Sequence, residues 1–147
     1  MHTRLATADD IPALCDLLTL LFAQEAEFTP DRAAQTRGLG QIIADEKIGR
    51  IVVLVDGEQV VGMVNLLFTV STALGERVAL LEDLVLQPEY RGQGRGTLLV
   101  EAAFVQARAD GCVRLTLLTD ADNLAGQAFY RKQGFVPSSM LPFRRFL

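Results

Sequence analysis

Three glycines alternate in Arg91-Gly92-Gln93-Gly94-Arg95-Gly96, immediately before an amphipathic stretch that starts at Thr97. Without Cβ atoms in the way, backbone N–H groups in such a loop converge on one point. A helix N-terminus adds unsatisfied donors and about half a unit of positive charge. Arg91 and Arg95 bring two full charges, so the loop suits a pyrophosphate better than a single carboxylate. A tight strand-to-helix turn with solvated arginines has the same spacing, and spacing alone leaves both readings open. A Walker A loop needs Lys before Ser or Thr, whereas Gly96 is followed directly by Thr97. A dinucleotide fingerprint would place an acid at the end of the next strand, where Asp120 and Asp122 stand. Against it, the spacing is Gly-x-Gly-x-Gly, and only 27 residues follow Asp120, too few for a doubly wound sheet.

The elements that position this loop follow from periodicity. Thr3–Ala6 reads as a short strand, and Thr7-Ala8-Asp9-Asp10 with Pro12 is a helix start. Leu14, Leu17, Leu18, Leu21 and Phe22 recur at helical spacing. Pro30 interrupts the pattern, and Arg32–Glu46 resumes it as a poorer helix containing Gly38 and Gly40. Ile51–Val55 and Val60–Phe68 flank an Asp56-Gly57 hairpin turn, and a third strand spans about Val78–Gln87. Thr97–Ala109 is a helix with Leu98, Leu99, Ala102, Ala103 and Val105 on or near its inner face. Val113–Leu118 reads as a buried strand, Asn123–Lys132 as a last helix before Gly134, and Phe143–Leu147 as an edge strand. This order predicts one α+β domain over residues 1–147, built on a mostly antiparallel sheet of about six or seven strands with about four helices.

Composition excludes several classes of function. With 147 residues and half of them apolar, the chain buries a core without staples. Asp16, Asp45, Glu46 and Asp56 break every apolar stretch before it reaches the roughly 18–20 residues that span a bilayer, so no membrane partner is expected. Residues 1–5 do not read as a signal peptide, which predicts a cytoplasmic protein. One histidine and no Cys-x-x-Cys argue against a metal site, and Cys15 and Cys112 read as free thiols. A net charge of −4 argues against a nucleic-acid partner.

The loop resembles the signature Arg/Gln-x-x-Gly-x-Gly/Ala of the GNAT superfamily of N-acetyltransferases. A second signature of that family appears in Asn123-Leu124-Ala125-Gly126-Gln127-Ala128-Phe129-Tyr130, followed by Lys132-Gln133-Gly134-Phe135. The resemblance covers essentially the whole chain, and Glu82-Asp83-Leu84-Val85-Leu86 looks like the polyamine (spermidine/spermine) acetyltransferases. It implies acetyl-CoA as co-substrate, without a metal, and an amine as acceptor. Backbone groups of the Leu84-Val85-Leu86 segment would pair with the pantetheine arm. Amides from Arg91 and Gly92 through Gln93, Gly94, Arg95 and Gly96 to Thr97 would hold the pyrophosphate. Asn123 would hydrogen-bond the cofactor and Phe129 would pack beside it.

Tyr130 matches the family's general acid, while a helix-face aromatic packed against the sheet is the alternative reading. Glu82 is the candidate base and also faces the substrate, because strand alternation predicts it on the same face as Leu84 with Asp83 pointing away. The acceptor segment of the family corresponds to residues 24–31, where Glu25 and Phe28 would attract a cationic amine. The same acidic stretch also reads as a solvated loop, and Arg144-Arg145 equally suits an acidic substrate or an edge strand. A non-catalytic acyl-CoA sensor is the rival function. The apolar Phe143, Phe146 and Leu147 suit a homodimer contact.

Overall fold

A computed structural model describes residues 1–24 and 29–147. Its sheet runs in the order β1 (His2–Leu5), β2 (Gly49–Asp56), β3 (Gln59–Ser71), β4 (Glu76–Leu86) and β5 (Leu115–Thr116). The first four strands form an antiparallel meander, and β5 joins β4 in parallel. Helices α1 (Ile11–Phe22), α2 (Arg32–Ala44), α3 (Arg95–Ala109) and α4 (Leu124–Lys132) complete the described elements.

The sheet is buried on both faces, which is why β2 reads as an unbroken apolar run. Val53 and Val55 pack with Leu14, Leu17 and Leu18 of α1 and Leu39 of α2. Val52 and Leu54 turn the other way, toward Leu99, Ala103 and Ala107 of α3. Entry into α1 is fixed by a short 3-10 turn at Ala8–Asp10. There Asp10 accepts the Thr7 N–H at 2.7 Å and a two-pronged contact from Arg4 at 2.7 and 3.0 Å. Those hydrogen bonds hold the Asp10 carboxyl below its ordinary range. Asp31 caps α2 by accepting the Ala34 N–H.

Four expectations are corrected. Val113–Leu118 contributes a strand only at Leu115–Thr116, with Val113 and Leu118 exposed, because the two strands part beyond the Leu80/Thr116 pair. Phe143–Leu147 forms no strand: Phe143 and Phe146 are each 93% exposed. Pro137 and Pro142 remove ladder donors from this arm. The described sheet therefore has five strands rather than six or seven. On α3, Leu98 and Val105 face outward, and Val100 and Ala107 take the inner positions beside Leu99 and Ala103.

Candidate active site

The ladder between β3 and β4 carries one irregularity, and it falls where the site is expected. Met63 pairs with Val85 and Asn65 with Glu82, so Val64 alone stands opposite both Asp83 and Leu84. Asp83 is the bulged residue. With φ at 54° it is the one non-glycine residue of positive φ among the described residues. That conformation costs an L-residue on the order of 1 kcal/mol, though Asp tolerates it better than most. The buried Asn65 compensates by donating from Nδ2 to Asp83 Oδ2 at 2.6 Å.

The bulge changes which way each side chain points. Asn65 lies two residues along β3 from Met63, on the face covered by α1 and α2, and Glu82 opposite it shares that face. Leu84 packs instead against the α3 cluster. The expectation that Glu82 and Leu84 share a face is therefore wrong, because simple alternation does not survive an inserted residue. Glu82 is half-buried on the α1/α2 side. In the link between those two helices, Glu25 and Phe28 lie outside the described residues.

On its other edge β4 meets β5 only through Ala79/Leu115 and Leu80/Thr116. From Leu81 to Leu86 that edge faces no strand among the described residues. Leu84 and Leu86 are half-buried toward α3, whereas the Val85 side chain is buried on the α1 side. The Leu86 carbonyl accepts from Arg91 Nε at 3.1 Å, which ties the glycine loop to the end of β4.

Within the loop, Gly92 and Gly94 have φ of 72° and 76°. Each needs glycine for that backbone geometry, and a Cβ on either would meet open space. Gly94 is the N-cap of α3 and offers no side-chain acceptor to the N–H groups of the helix's first turn. The loop is exposed, not closed over or buried. These features suit an anion at the helix mouth, and they fit the diphosphate of acetyl-CoA. Arg95 stacks over the Tyr90 ring at 4.8 Å, while Tyr90 donates its hydroxyl to Asp56. Gln93 donates to the Glu89 carbonyl.

α4 brings the second motif against the first. A Cβ on Gly96 would touch the Phe129 ring at 3.4 Å, and Gln133 donates to the Thr97 hydroxyl at 2.9 Å. Tyr130 sits half-buried in an aromatic group, edge-on to Phe129 at 5.5 Å and to Phe135 at 6.0 Å. Asn123 is already employed here: its Oδ1 accepts the Gly126 N–H at 3.1 Å as the α4 N-cap, and its Nδ2 donates to Thr119. Any side chain at position 126 would collide with Asn123, which explains the glycine three residues after the cap. The expected cofactor bond from Asn123 therefore competes with this local role.

These paired signatures have counterparts in known proteins. The chain matches the acetyltransferase (GNAT) family across residues 11–135. The chain belongs to that family. GNAT proteins use acetyl-CoA as co-substrate. The amino-acid acetyltransferase of Pseudomonas fluorescens is 30% identical over 137 residues, which is 93% of this chain but 28% of that enzyme. The chain thus spans little more than a quarter of that relative's length. A solved structure described as a transcriptional regulator from Bacillus halodurans superposes with a TM-score of 0.83 at 26% identity, covering 99% of both chains. An aminoglycoside 6'-N-acetyltransferase from Acinetobacter haemolyticus shares the fold, with a TM-score of 0.80 at 18% identity over 100% of this chain and 99% of that one.

Sequence reading missed the Asp83 bulge, the Gln133–Thr97 bond and the Tyr90–Arg95 stack. One signal was available: Asn65 interrupts the apolar run Val60–Phe68 in the middle of β3, and a polar residue there needs a partner.

Proposed function

We propose that this GNAT chain, acting as a single catalytic domain, transfers acetyl from acetyl-CoA to the primary amine of a small molecule or peptide. One observation carries the reading: the uncapped α3 N-terminus behind Gly92 and Gly94 adjoins the unpaired β4 edge. A diphosphate bound at one and an extended amide-bearing arm laid along the other would be a single ligand.

Acetyl-CoA supplies an acyl group already activated as a thioester. The chain then has three tasks. The Glu82 carboxylate takes the proton that the acceptor nitrogen loses as it bonds to the carbonyl carbon. A β4 amide near Leu84 donates to the carbonyl oxygen as charge builds there. The Tyr130 hydroxyl gives a proton to the sulfur as the carbon–sulfur bond breaks. Leu84, Val85 and Leu86 hold the pantetheine arm, and Arg91 through Thr97 hold the diphosphate. Phe129 packs under the loop at Gly96, and Asn123 serves the cofactor through the α4 end that it caps.

For the acceptor, Glu82 together with Glu25 and Phe28 favours a cationic amine. The Glu82–Leu86 segment supports the polyamine class, whereas the amino-acid acetyltransferase relative supports an α-amine. A sensor that binds acyl-CoA without turnover is the second reading, favoured by the likeness to a protein described as a transcriptional regulator. The exposed Phe143 and Phe146 support a homodimer formed through the C-terminal arm. A recess of about 260 Å³ beside β5, lined by Phe104, Cys112, Leu115 and Phe135, offers that arm a seat on a second copy.

The test is release of free thiol from acetyl-CoA across a panel of polyamines and amino acids, alongside thermal shift. Tyr130→Phe should keep the acetyl-CoA shift and lose turnover. No shift at saturating acetyl-CoA would end the proposal, and a shift without turnover on any amine would favour the sensor.

A further inference from the structure

Asn65 is buried in the apolar middle of β3 at 2% exposure, and its Oδ1 has no hydrogen-bond partner. A buried acceptor left unsatisfied is unfavourable, so an apolar residue of similar volume would suit this core better. What the amide does accomplish is to hold the carboxylate of Asp83, the residue with the left-handed backbone.

We propose that Asn65 is a positioning residue for acetyl transfer: by anchoring Asp83 it maintains the bulge that turns Glu82 toward the α1/α2 side and opens the Leu84–Leu86 edge of β4. The inference rests on the roles given above to Glu82 and that edge. Without the bond from Asn65, Asp83 loses one restraint on its left-handed backbone, and extended geometry gains on the bulged one. A regular ladder then turns every residue on one side of position 83 to the opposite face. Glu82 and Leu84 cannot keep their present directions in such a ladder, because unbulged alternation puts them on one face.

The test uses Asn65→Leu, Asp83→Gly and the double variant. Glycine adopts φ near 54° with no Cβ penalty, so Asp83→Gly keeps the bulge without needing an anchor. Asn65→Leu should melt no lower than wild type yet lose on the order of 100-fold in kcat/KM, the scale of a misplaced reacting group. The loss should fall mainly on kcat, since Glu82 is what moves. The double variant should recover most of it. Activity of Asn65→Leu equal to wild type, or a double variant no more active than Asn65→Leu, would overturn the proposal.

If Asn65→Leu does not fold, Asp83→Gly against Asp83→Ala asks the same question, because both lose the carboxylate and only glycine takes the bulged backbone freely. Equal activity in that pair also overturns it. If the wild type turns over no amine, the functional reading fails by itself. Amide exchange at Leu84–Leu86 without ligand then decides the anchor: slower exchange in Asn65→Leu, as the regular ladder closes the opening, reversed in the double variant, supports it, and unchanged or faster exchange sinks it.

Discussion

Gly94 and Gly38 make opposite predictions for the same chemical change. Both have room for a methyl group, since a Cβ at either position meets nothing within 4 Å. Only their backbones differ: Gly94 has φ of 76°, while Gly38 lies in the interior of α2, outside the left-handed region. Alanine at 94 therefore pays the full left-handed penalty, about 1–2 kcal/mol. Alanine at 38 gains helix propensity, about 0.8–1 kcal/mol. For 147 residues the unfolding entropy is about 0.3 kcal/mol/K, so the two variants should melt about 6–10 °C apart, on opposite sides of wild type. Calorimetry or far-UV circular dichroism reads this directly. Acetyl-CoA at a hundred times its dissociation constant should stabilise wild type by about 2.7 kcal/mol, and Gly94→Ala by less, because the strained loop no longer presents its amides. If Gly94→Ala melted within about 1 °C of wild type while Gly38→Ala rose as expected, the strain argument at the α3 mouth would be refuted.

Asn123→Ala should cost about 1 kcal/mol through loss of the α4 cap. Gly126→Ala should displace the same cap, so in denaturant titrations the double variant should be no less stable than the sum of its parts and close to Asn123→Ala alone. Acid should weaken the fold through Asp10 and Asp110. At Asp10 the hydrogen bonds from Arg4 lower the carboxyl's pKa. At Asp110 burial pushes upward but is outweighed by hydrogen bonds from Arg50 and Gln106. A folded-state pKa below the unfolded one gives stability that is present above the unfolded value near 3.9 and is lost as pH falls below it. Urea titrations should accordingly show a steeper decline below about pH 4 in wild type than in Asp10→Asn. Sedimentation velocity should detect self-association of the intact chain that Phe143→Ser/Phe146→Ser abolishes, and a monomeric wild type at every concentration would exclude the arm contact.

Much of the framework is legible along the chain because it depends on neighbours in sequence. The spacing of Leu14, Leu17 and Leu18 selects the buried stripe of α1, and Asp56-Gly57 closes the β2–β3 hairpin through a local left-handed glycine. The alternating glycines before Thr97 likewise announce the uncapped helix mouth, since backbone freedom is a property of each residue alone. Other features depend on what lies across the sheet. Strand alternation predicts the wrong relation between Glu82 and Leu84, because the inserted Asp83 depends on Asn65, 18 residues away. The apolar run after Val113 looks like a full strand, but a strand lasts only as long as its ladder, and β4 turns away after Leu80. Phe143–Leu147 has strand composition, yet it pairs with no strand among the described residues and stays exposed, which only the assembled sheet reveals. Sequence by itself determined the helices, the hairpin and the glycine loop at the α3 mouth. Tertiary pairing decided the direction of the candidate base and the opening beside it, because a ladder's register is settled only when distant strands meet.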